Sequence, residues 1–162
     1  MKIILAKNAD DLGGIAADIF EDAIKTKPNL VLGLATGSTP LPLYRELIRR
    51  YQAGVLDFSK VKTVNLDEYV GLPPEHIQSY RYFMNENLFD HINIDKANTH
   101  VPDGMAGDPA AECARYDALV GNLGGIDLQL LGVGYNGHLG FNEPDDVFVS
   151  HTQVIKLTES TI

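Results

Sequence analysis

Three short segments carry the side chains that could do chemistry, and the richest is the glycine-rich run LGVGYNGHLGFNEP at residues 131–144. His138 lies within it, and imidazole is the side chain whose ordinary pKa lies nearest neutrality. Glu143 follows five residues later and could orient the second ring nitrogen, as a partner does for a general base. The alternative is a structural histidine satisfied by a loop carbonyl. The other four histidines show no zinc-type spacing, so we predict no metal site.

Two adjacent carboxylates, Asp67 and Glu68, follow directly on the apolar run at residues 61–66. A carboxylate that neighbouring strands partly desolvate can act as a general base and remove a proton from carbon. We expect one member of the pair to face solvent. The alternative is that both are ordinary surface acids of a loop.

The third segment, GLATGSTP at residues 33–40, has the parts of a phosphate-binding turn. The residues that could contact an anion are Thr36, Gly37, Ser38 and Thr39. Gly37 permits close approach of the backbone, and a helix beginning near Pro40 would direct its free N–H groups at the anion. The segment matches neither the Walker pattern nor the dinucleotide fingerprint. A plain turn before the helix, capped by Ser38 or Thr39, is the alternative.

Alternating apolar runs and helical stripes supply the elements that position these segments. Strands are predicted at residues 2–6, 30–35, 61–66 and 126–131, and helices at 12–24, after 40, at 80–88 and at 109–120. This alternation predicts an α/β fold: a doubly wound, mostly parallel, Rossmann-like sheet with helices on both faces. Ligands bind such sheets beyond the carboxyl ends of the strands, where all three segments fall.

Length, charge and cysteine content limit the classes of function. The 162 residues fit one domain, and a net charge of −9 argues against binding to nucleic acid or an anionic membrane. Cys113 is the single cysteine, which excludes a disulfide within the chain and favours a reducing cytoplasm. No run of the sequence has the length of a transmembrane helix or the pattern of an export signal. We therefore expect a cytoplasmic protein with a small-molecule partner.

In order and spacing, the three segments resemble the glucosamine-6-phosphate deaminase family. The likeness is carried by GLATGSTP at residues 33–40, NLDEYVGL at 65–72 and GVGYNGHLGFNEP at 132–144, and it extends through Leu157 and Thr158. It implies conversion of glucosamine 6-phosphate and water to fructose 6-phosphate and ammonia, in amino-sugar catabolism. It also implies that the reaction uses neither a metal nor an organic cofactor.

The resemblance implies a role for each candidate residue. His138 would assist opening of the sugar ring, with Glu143 orienting it and Asn136 completing the group. Asp67 would then move a proton from C2 to C1, and residues 36–39 would hold the phosphate. Some family members carry aspartate at the position of Asn136. Since an amide cannot take a proton as a carboxylate can, we expect Asn136 here to position His138.

The resemblance also implies differences from other members. Hexameric members bind a sugar-phosphate effector through basic residues, and the matching positions here are Gln153 and Ile155, so we expect no activation of that kind. Family members continue beyond this length and add an arginine and a lysine that grip the phosphate. We therefore expect residues 1–162 to be a single sugar-phosphate isomerase/deaminase domain truncated at its C-terminus. We expect little deaminase activity and poor solubility from this form by itself.

Two other functions stay open from the sequence. One is a sugar-phosphate hydrolase resembling 6-phosphogluconolactonase, which shares the architecture and the phosphate turn. The other is a non-catalytic sugar-phosphate-binding module. The sequence does not decide between a monomer and a homo-oligomer.

Overall fold

The fold is a parallel sheet flanked by helices, seen here in a computed structural model that describes residues 2–135, 137–142, 144, 146 and 149–157. Within these residues the helices are α1 (Ala9–Thr26), α2 (Leu41–Gln52), α3 (Tyr80–Asn87) and α4 (Pro109–Asn122), and the strands are β1 (Val31–Leu34), β2 (Lys62–Asn65), β3 (Thr99–His100) and β4 (Leu128–Gln129). Short 3₁₀ turns occupy Phe89–His91 and Lys96–Asn98.

The strand order shows that the sheet is doubly wound. The four strands lie in the order β3-β2-β1-β4, and every pairing is parallel. The chain therefore moves outward from β1 to β3 and then returns to the other side of β1 at β4. Since such crossovers are right-handed, α2 and α3 cover one face and α4 covers the other. This confirms the predicted α/β class and places the switch point between β1 and β4.

The sheet is buried on both faces, which explains the unbroken apolar run of β1. Leu32 and Leu34 pack into the main core with Phe20 of α1 and Leu47 of α2. On the opposite face Tyr116 of α4 is 3% exposed. Its hydroxyl lies 2.8 Å from the carbonyl oxygen of Asn65 and 3.0 Å from that of His100, so it joins α4 to the ends of two strands.

The first helix follows the sequence pattern closely at its ends. Asn8 is the N-cap, and its side chain accepts a hydrogen bond of 2.9 Å from the N–H of Asp11. The helix ends at Thr26, before Pro28, because the residue preceding a proline disfavours the helical conformation. Its apolar stripe is only partly buried, however, since Leu12 and Ile19 are 46% and 48% exposed.

Two local predictions are wrong. Residues 2–6 form no strand, and Ile3 and Leu5 are 73% and 90% exposed, because no described strand lies beside them to supply hydrogen bonds. The N-cap of α2 is Pro40, with no side-chain cap, rather than Ser38 or Thr39. The backbone closes this turn instead, through a 3.3 Å hydrogen bond from the N–H of Leu41 to the carbonyl of Ser38.

Candidate active site

The three segments meet at one edge of the sheet because they follow neighbouring parallel strands. Leu34 and Asn65, the last residues of β1 and β2, are paired in register. The side-chain amide of Asn65 donates to the carbonyl of Leu34 over 3.2 Å and holds the two strand ends together. The glycine-rich run follows β4, which lies on the other side of β1. The site therefore surrounds the carboxyl end of β1.

Asp67 is the half-buried carboxylate of this site. Burial raises its pKa from 3.8 to about 6, and the neighbouring negative charge of Glu68 adds to that rise. The backbone N–H of Phe141 acts in the opposite direction and favours the ionised form. A carboxyl that titrates near pH 6 is suited both to accept a proton from carbon and to return it.

The glycine-rich run lies beside Asp67 at Gly140. This residue has a φ of +60°, and a Cβ built on it would lie 3.1 Å from Oδ2 of Asp67. A side chain at this position would therefore combine an unfavourable backbone conformation with a crowded contact. Glycine here lets the run reach the carboxylate and bring the N–H of Phe141 to it.

Three rings next to Asp67, those of Tyr69, Tyr80 and Phe141, form what we call the aromatic cluster. Tyr80 stacks on Phe141 with ring centroids 5.6 Å apart, and Tyr69 lies 5.0 Å from Tyr80 and 5.3 Å from Phe141. The Tyr80 hydroxyl lies 3.5 Å from that of Tyr69 and near the side chain of Thr36, and burial raises the pKa of Tyr80. The cluster thus joins all three segments. Its one sequence signal is Tyr80 in the run YRYFM, which also fits simple helix packing.

Asp67 and Glu68 are both half-buried, whereas the sequence predicted that one of the pair would face solvent. The Glu68 carboxylate accepts hydrogen bonds from the backbone N–H groups of Tyr69 at 2.8 Å, Tyr80 at 2.9 Å and Arg81 at 3.0 Å. These contacts occupy both of its oxygens. Glu68 is therefore a structural acceptor at the start of α3.

The ring of His138 lies over Gly134. A Cβ built on Gly134 would lie 2.1 Å from Cε1 of His138, so only glycine leaves space for the imidazole. The backbone adds a 2.9 Å hydrogen bond from the N–H of Gly134 to the carbonyl of His138. Asn136 and Glu143, the predicted partners of His138, lie outside the described residues, so their roles stay predictions.

The predicted phosphate-binding residues lie between β1 and α2. Thr36 is half-buried, whereas Gly37, Ser38 and Thr39 are exposed, and Gly37 has a φ of +90°. The first turn of α2 contains no acidic residue, so no side chain of that turn neutralises the positive end of the helix dipole. This arrangement suits an anion, because exposed hydroxyls precede a helix N-terminus.

A cavity of about 870 Å³ opens from Asp67 along α4. Its other walls include Asn65, Phe141 and the segment 149–157, and Thr36 to Thr39 do not line it. Thr152 fixes that segment to α4, with hydrogen bonds to Asp117 of 3.0 Å from its N–H and 2.6 Å from its hydroxyl. Lys156 is the single Lys or Arg side chain among the described residues that line the cavity.

Two negative findings apply to the residues that the structure describes. No group of three or more His, Cys, Asp or Glu side chains among them is arranged to hold a metal ion. None of the helices in this part of the chain is both long and apolar enough to span a membrane.

The fold and site define an α/β protein that gathers a half-buried carboxylate, a histidine loop and a turn of exposed hydroxyl groups at the end of a parallel sheet. The family of glucosamine-6-phosphate isomerases and 6-phosphogluconolactonases matches residues 6–159. The chain belongs to this family.

Sequence relatives within the family are named glucosamine-6-phosphate deaminase. One from Lachnoclostridium phytofermentans is 61% identical over 162 residues, which cover all of this chain and 69% of the relative. One from Clostridium perfringens is 57% identical, with the same full coverage of this chain and 67% of the relative.

Solved structures show the same relationship. A monomeric glucosamine-6-phosphate deaminase superposes with a TM-score of 0.97 at 49% identity, covering 99% of this chain and 67% of that one. A 6-phosphogluconolactonase from Thermotoga maritima superposes with a TM-score of 0.73 at 25% identity, covering 86% of this chain and 63% of that one. The chain is thus much more similar to the deaminase than to this lactonase.

Proposed function

We propose that the chain is a glucosamine-6-phosphate deaminase, which converts glucosamine 6-phosphate and water to fructose 6-phosphate and ammonia. The observation that carries this proposal is the half-buried Asp67, whose pKa of about 6 suits proton transfer at carbon. The names of the relatives at 57% and 61% identity support the same activity.

Asp67 performs the central proton transfer in this proposal. His138 first helps to open the sugar ring by moving a proton between the ring oxygen and the anomeric hydroxyl, with Asn136 and Glu143 as its partners. Asp67 then takes the proton from C2 of the open-chain amine, which gives an enolamine, and a proton is returned to C1. The resulting ketimine reacts with water to release ammonia and leave the ketose. No step requires a metal or an organic cofactor.

The turn before α2 binds the phosphate of the substrate in this proposal. The hydroxyls of Thr36, Ser38 and Thr39 and the backbone at Gly37 face the anion, and the N-terminus of α2 adds favourable charge. Binding energy from this remote group aligns C2 with Asp67. Because Thr36 lies near Tyr80 of the aromatic cluster, the phosphate turn is also close to the site of proton transfer.

Ammonia release from glucosamine 6-phosphate tests the proposed activity. The assay uses this chain and the same chain joined to those residues of the Lachnoclostridium phytofermentans relative that lie beyond the matched region. In the active form, Asp67→Asn should lower turnover by at least about 100-fold while sugar-phosphate binding is retained. Full turnover by Asp67→Asn would exclude Asp67 as the base.

A parallel assay with 6-phosphogluconolactone separates the deaminase from its alternatives. The segments NLDEY at residues 65–69 and NGH at 136–138 favour the deaminase. Lactone hydrolysis without ammonia release would instead support the lactonase-like hydrolase. Binding of glucosamine 6-phosphate without turnover of either substrate would support the non-catalytic binding module.

The acidic charge of the chain limits the partners that it can bind. Residues 1–162 act as one domain on a small sugar phosphate in the cytoplasm and bind neither nucleic acid nor membrane. The net charge of −9 supports this, because polyanions and anionic lipids repel an acidic surface. Co-sedimentation of the purified chain with DNA or with anionic vesicles would contradict the expected lack of binding to nucleic acid and membranes.

A further inference from the structure

Glu68 makes contacts that the proposed chemistry does not use. It follows Asp67 in the chain, yet its carboxylate accepts hydrogen bonds from the backbone N–H groups of Tyr80 at 2.9 Å and Arg81 at 3.0 Å. These residues begin α3, and such N–H groups have no partner within a helix. The helix dipole further favours a negative charge at this position.

The same helix end already has an ordinary cap. Ser79 is the N-cap of α3, and its hydroxyl oxygen accepts from the N–H of Tyr82 at 3.0 Å. Glu68 reaches the helix from another loop and supplements this local cap. Its contacts therefore connect the loop at residues 67–69 to α3, in addition to stabilising the helix.

The connection closes a ring of contacts around Asp67. Tyr80, whose N–H binds Glu68, stacks on Phe141 with a centroid distance of 5.6 Å. The backbone N–H of Phe141 in turn faces Asp67 and favours its ionised form. Asp67 is thus held through its peptide bond to Glu68 on one side and through Phe141 on the other.

We propose that Glu68 is a positioning residue, which anchors the loop at 67–69 to the start of α3 and so keeps Asp67 buried against Phe141. This inference rests on the proposed function, because it takes Asp67 as the base. The groups that face Asp67 among the described residues are Glu68 on its own loop, Tyr80 on α3 and the backbone N–H of Phe141. Glu68 thus acts on Asp67 both by its position and by its charge.

The test separates these two effects by measuring the titration of Asp67 directly. The chain is labelled with ¹³C at the aspartate carboxyls, the Asp67 signal is assigned with Asp67→Asn, and its midpoint is measured without substrate. Glu68→Asp keeps a negative charge beside Asp67, but its shorter side chain cannot reach both amides of α3. Glu68→Gln keeps the length and removes the charge. Ser79→Ala is the matched control, since it removes the other cap of the same helix end.

We expect both substitutions of Glu68 to lower the midpoint of Asp67 toward the ordinary aspartate range. A shift of about one pH unit, or a tenfold larger ionisation constant, is the expected size. Ser79→Ala should destabilise the chain and leave the midpoint within about 0.3 unit. Backbone amide signals of β1 and β2 confirm that each variant is folded.

Two results would overturn the proposal. If the titration midpoint of Asp67 is the same in Glu68→Asp as in the unsubstituted chain, Glu68 acts on Asp67 by its charge alone. If Ser79→Ala shifts this midpoint as much as the substitutions of Glu68 do, loss of any cap of α3 has the same effect. Should Glu68→Gln fail to fold, the comparison of Glu68→Asp with Ser79→Ala decides. Failure to release ammonia would contradict the proposed function and leave this titration result unaffected, since no substrate is used.

Discussion

Asp67 is the residue at which protein stability and the proposed reaction conflict. Its folded-state pKa of about 6 exceeds the ordinary value of 3.8, so the folded protein holds the carboxyl proton more tightly than the unfolded chain does. The protonated carboxyl therefore favours folding fully below about pH 4. That contribution is lost as the pH rises through about 6.

This conflict predicts that Asp67→Asn stabilises the protein at neutral pH, because asparagine stays uncharged. Urea unfolding should give a free energy of unfolding higher than that of the unsubstituted chain by up to about 2–3 kcal/mol at pH 7.5, with little difference at pH 4. Asp22→Asn, at an exposed position of α1, is the control and should show no such pH dependence. A loss of stability for Asp67→Asn at pH 7.5 would contradict the prediction.

Residue types alone make Asp67 and His138 candidates for proton transfer, but they did not reveal the contacts of Glu68. The position of Asp67 followed from an apolar strand that ends in a carboxylate. The partners of Glu68 are backbone N–H groups twelve and thirteen residues away, and no side-chain pattern records such contacts. These contacts depend on how the end of β2 and the start of α3 lie next to each other in the fold.

At the scale of elements, the glycine-rich run positions His138 by leaving space. The imidazole lies where a Cβ on Gly134 would be, with ring atoms at 2.1–2.5 Å from that point. A Cβ on Gly132, two residues earlier, would have no atom within 4 Å. The two glycines therefore differ in function although they share one loop.

This difference predicts opposite results for two alanine substitutions. Gly134→Ala should displace the imidazole and lower kcat for ammonia release by about 100-fold, because misplacement by about 1 Å costs this much. Gly132→Ala should change kcat less than about twofold. The Cε1–H signal of His138 in NMR spectra gives a second readout, which should move in the first variant alone. If Gly134→Ala and Gly132→Ala changed kcat equally, the space that Gly134 leaves for the imidazole of His138 would not explain the loss of activity.

The elements also show where sequence patterns stop being informative. Helix α1 was predictable over residues 12–24 because the spacing of its apolar residues is a local signal, and the observed helix extends to Ala9 and Thr26. The strand predicted at residues 2–6 depended on a neighbour that an apolar run cannot specify. β3 has only two residues, too few for any pattern, and it is defined by its pairing with β2.

At the scale of the whole molecule, the site contains Asp67, the proposed base, but few cations for a phosphate. Lys156 is the single Lys or Arg in the sequence from residue 116 onward. Large apolar side chains are also exposed, among them Leu5, Val133 and Tyr135. The chain spans 69% of the length of the Lachnoclostridium phytofermentans relative. The part of that relative beyond this 69% could therefore supply contacts to the phosphate and to the exposed apolar side chains.

We predict that joining those remaining residues of the relative to this chain raises both turnover and solubility. Turnover of glucosamine 6-phosphate should increase by at least about 100-fold, since charged groups that hold a reacting ligand contribute this much. Solubility should rise because the added residues cover exposed apolar side chains. The comparison uses equal concentrations of the two forms, with Asp67→Asn in the longer form as the inactive control. Equal turnover by both forms would show that residues 1–162 already contain everything that the phosphate requires.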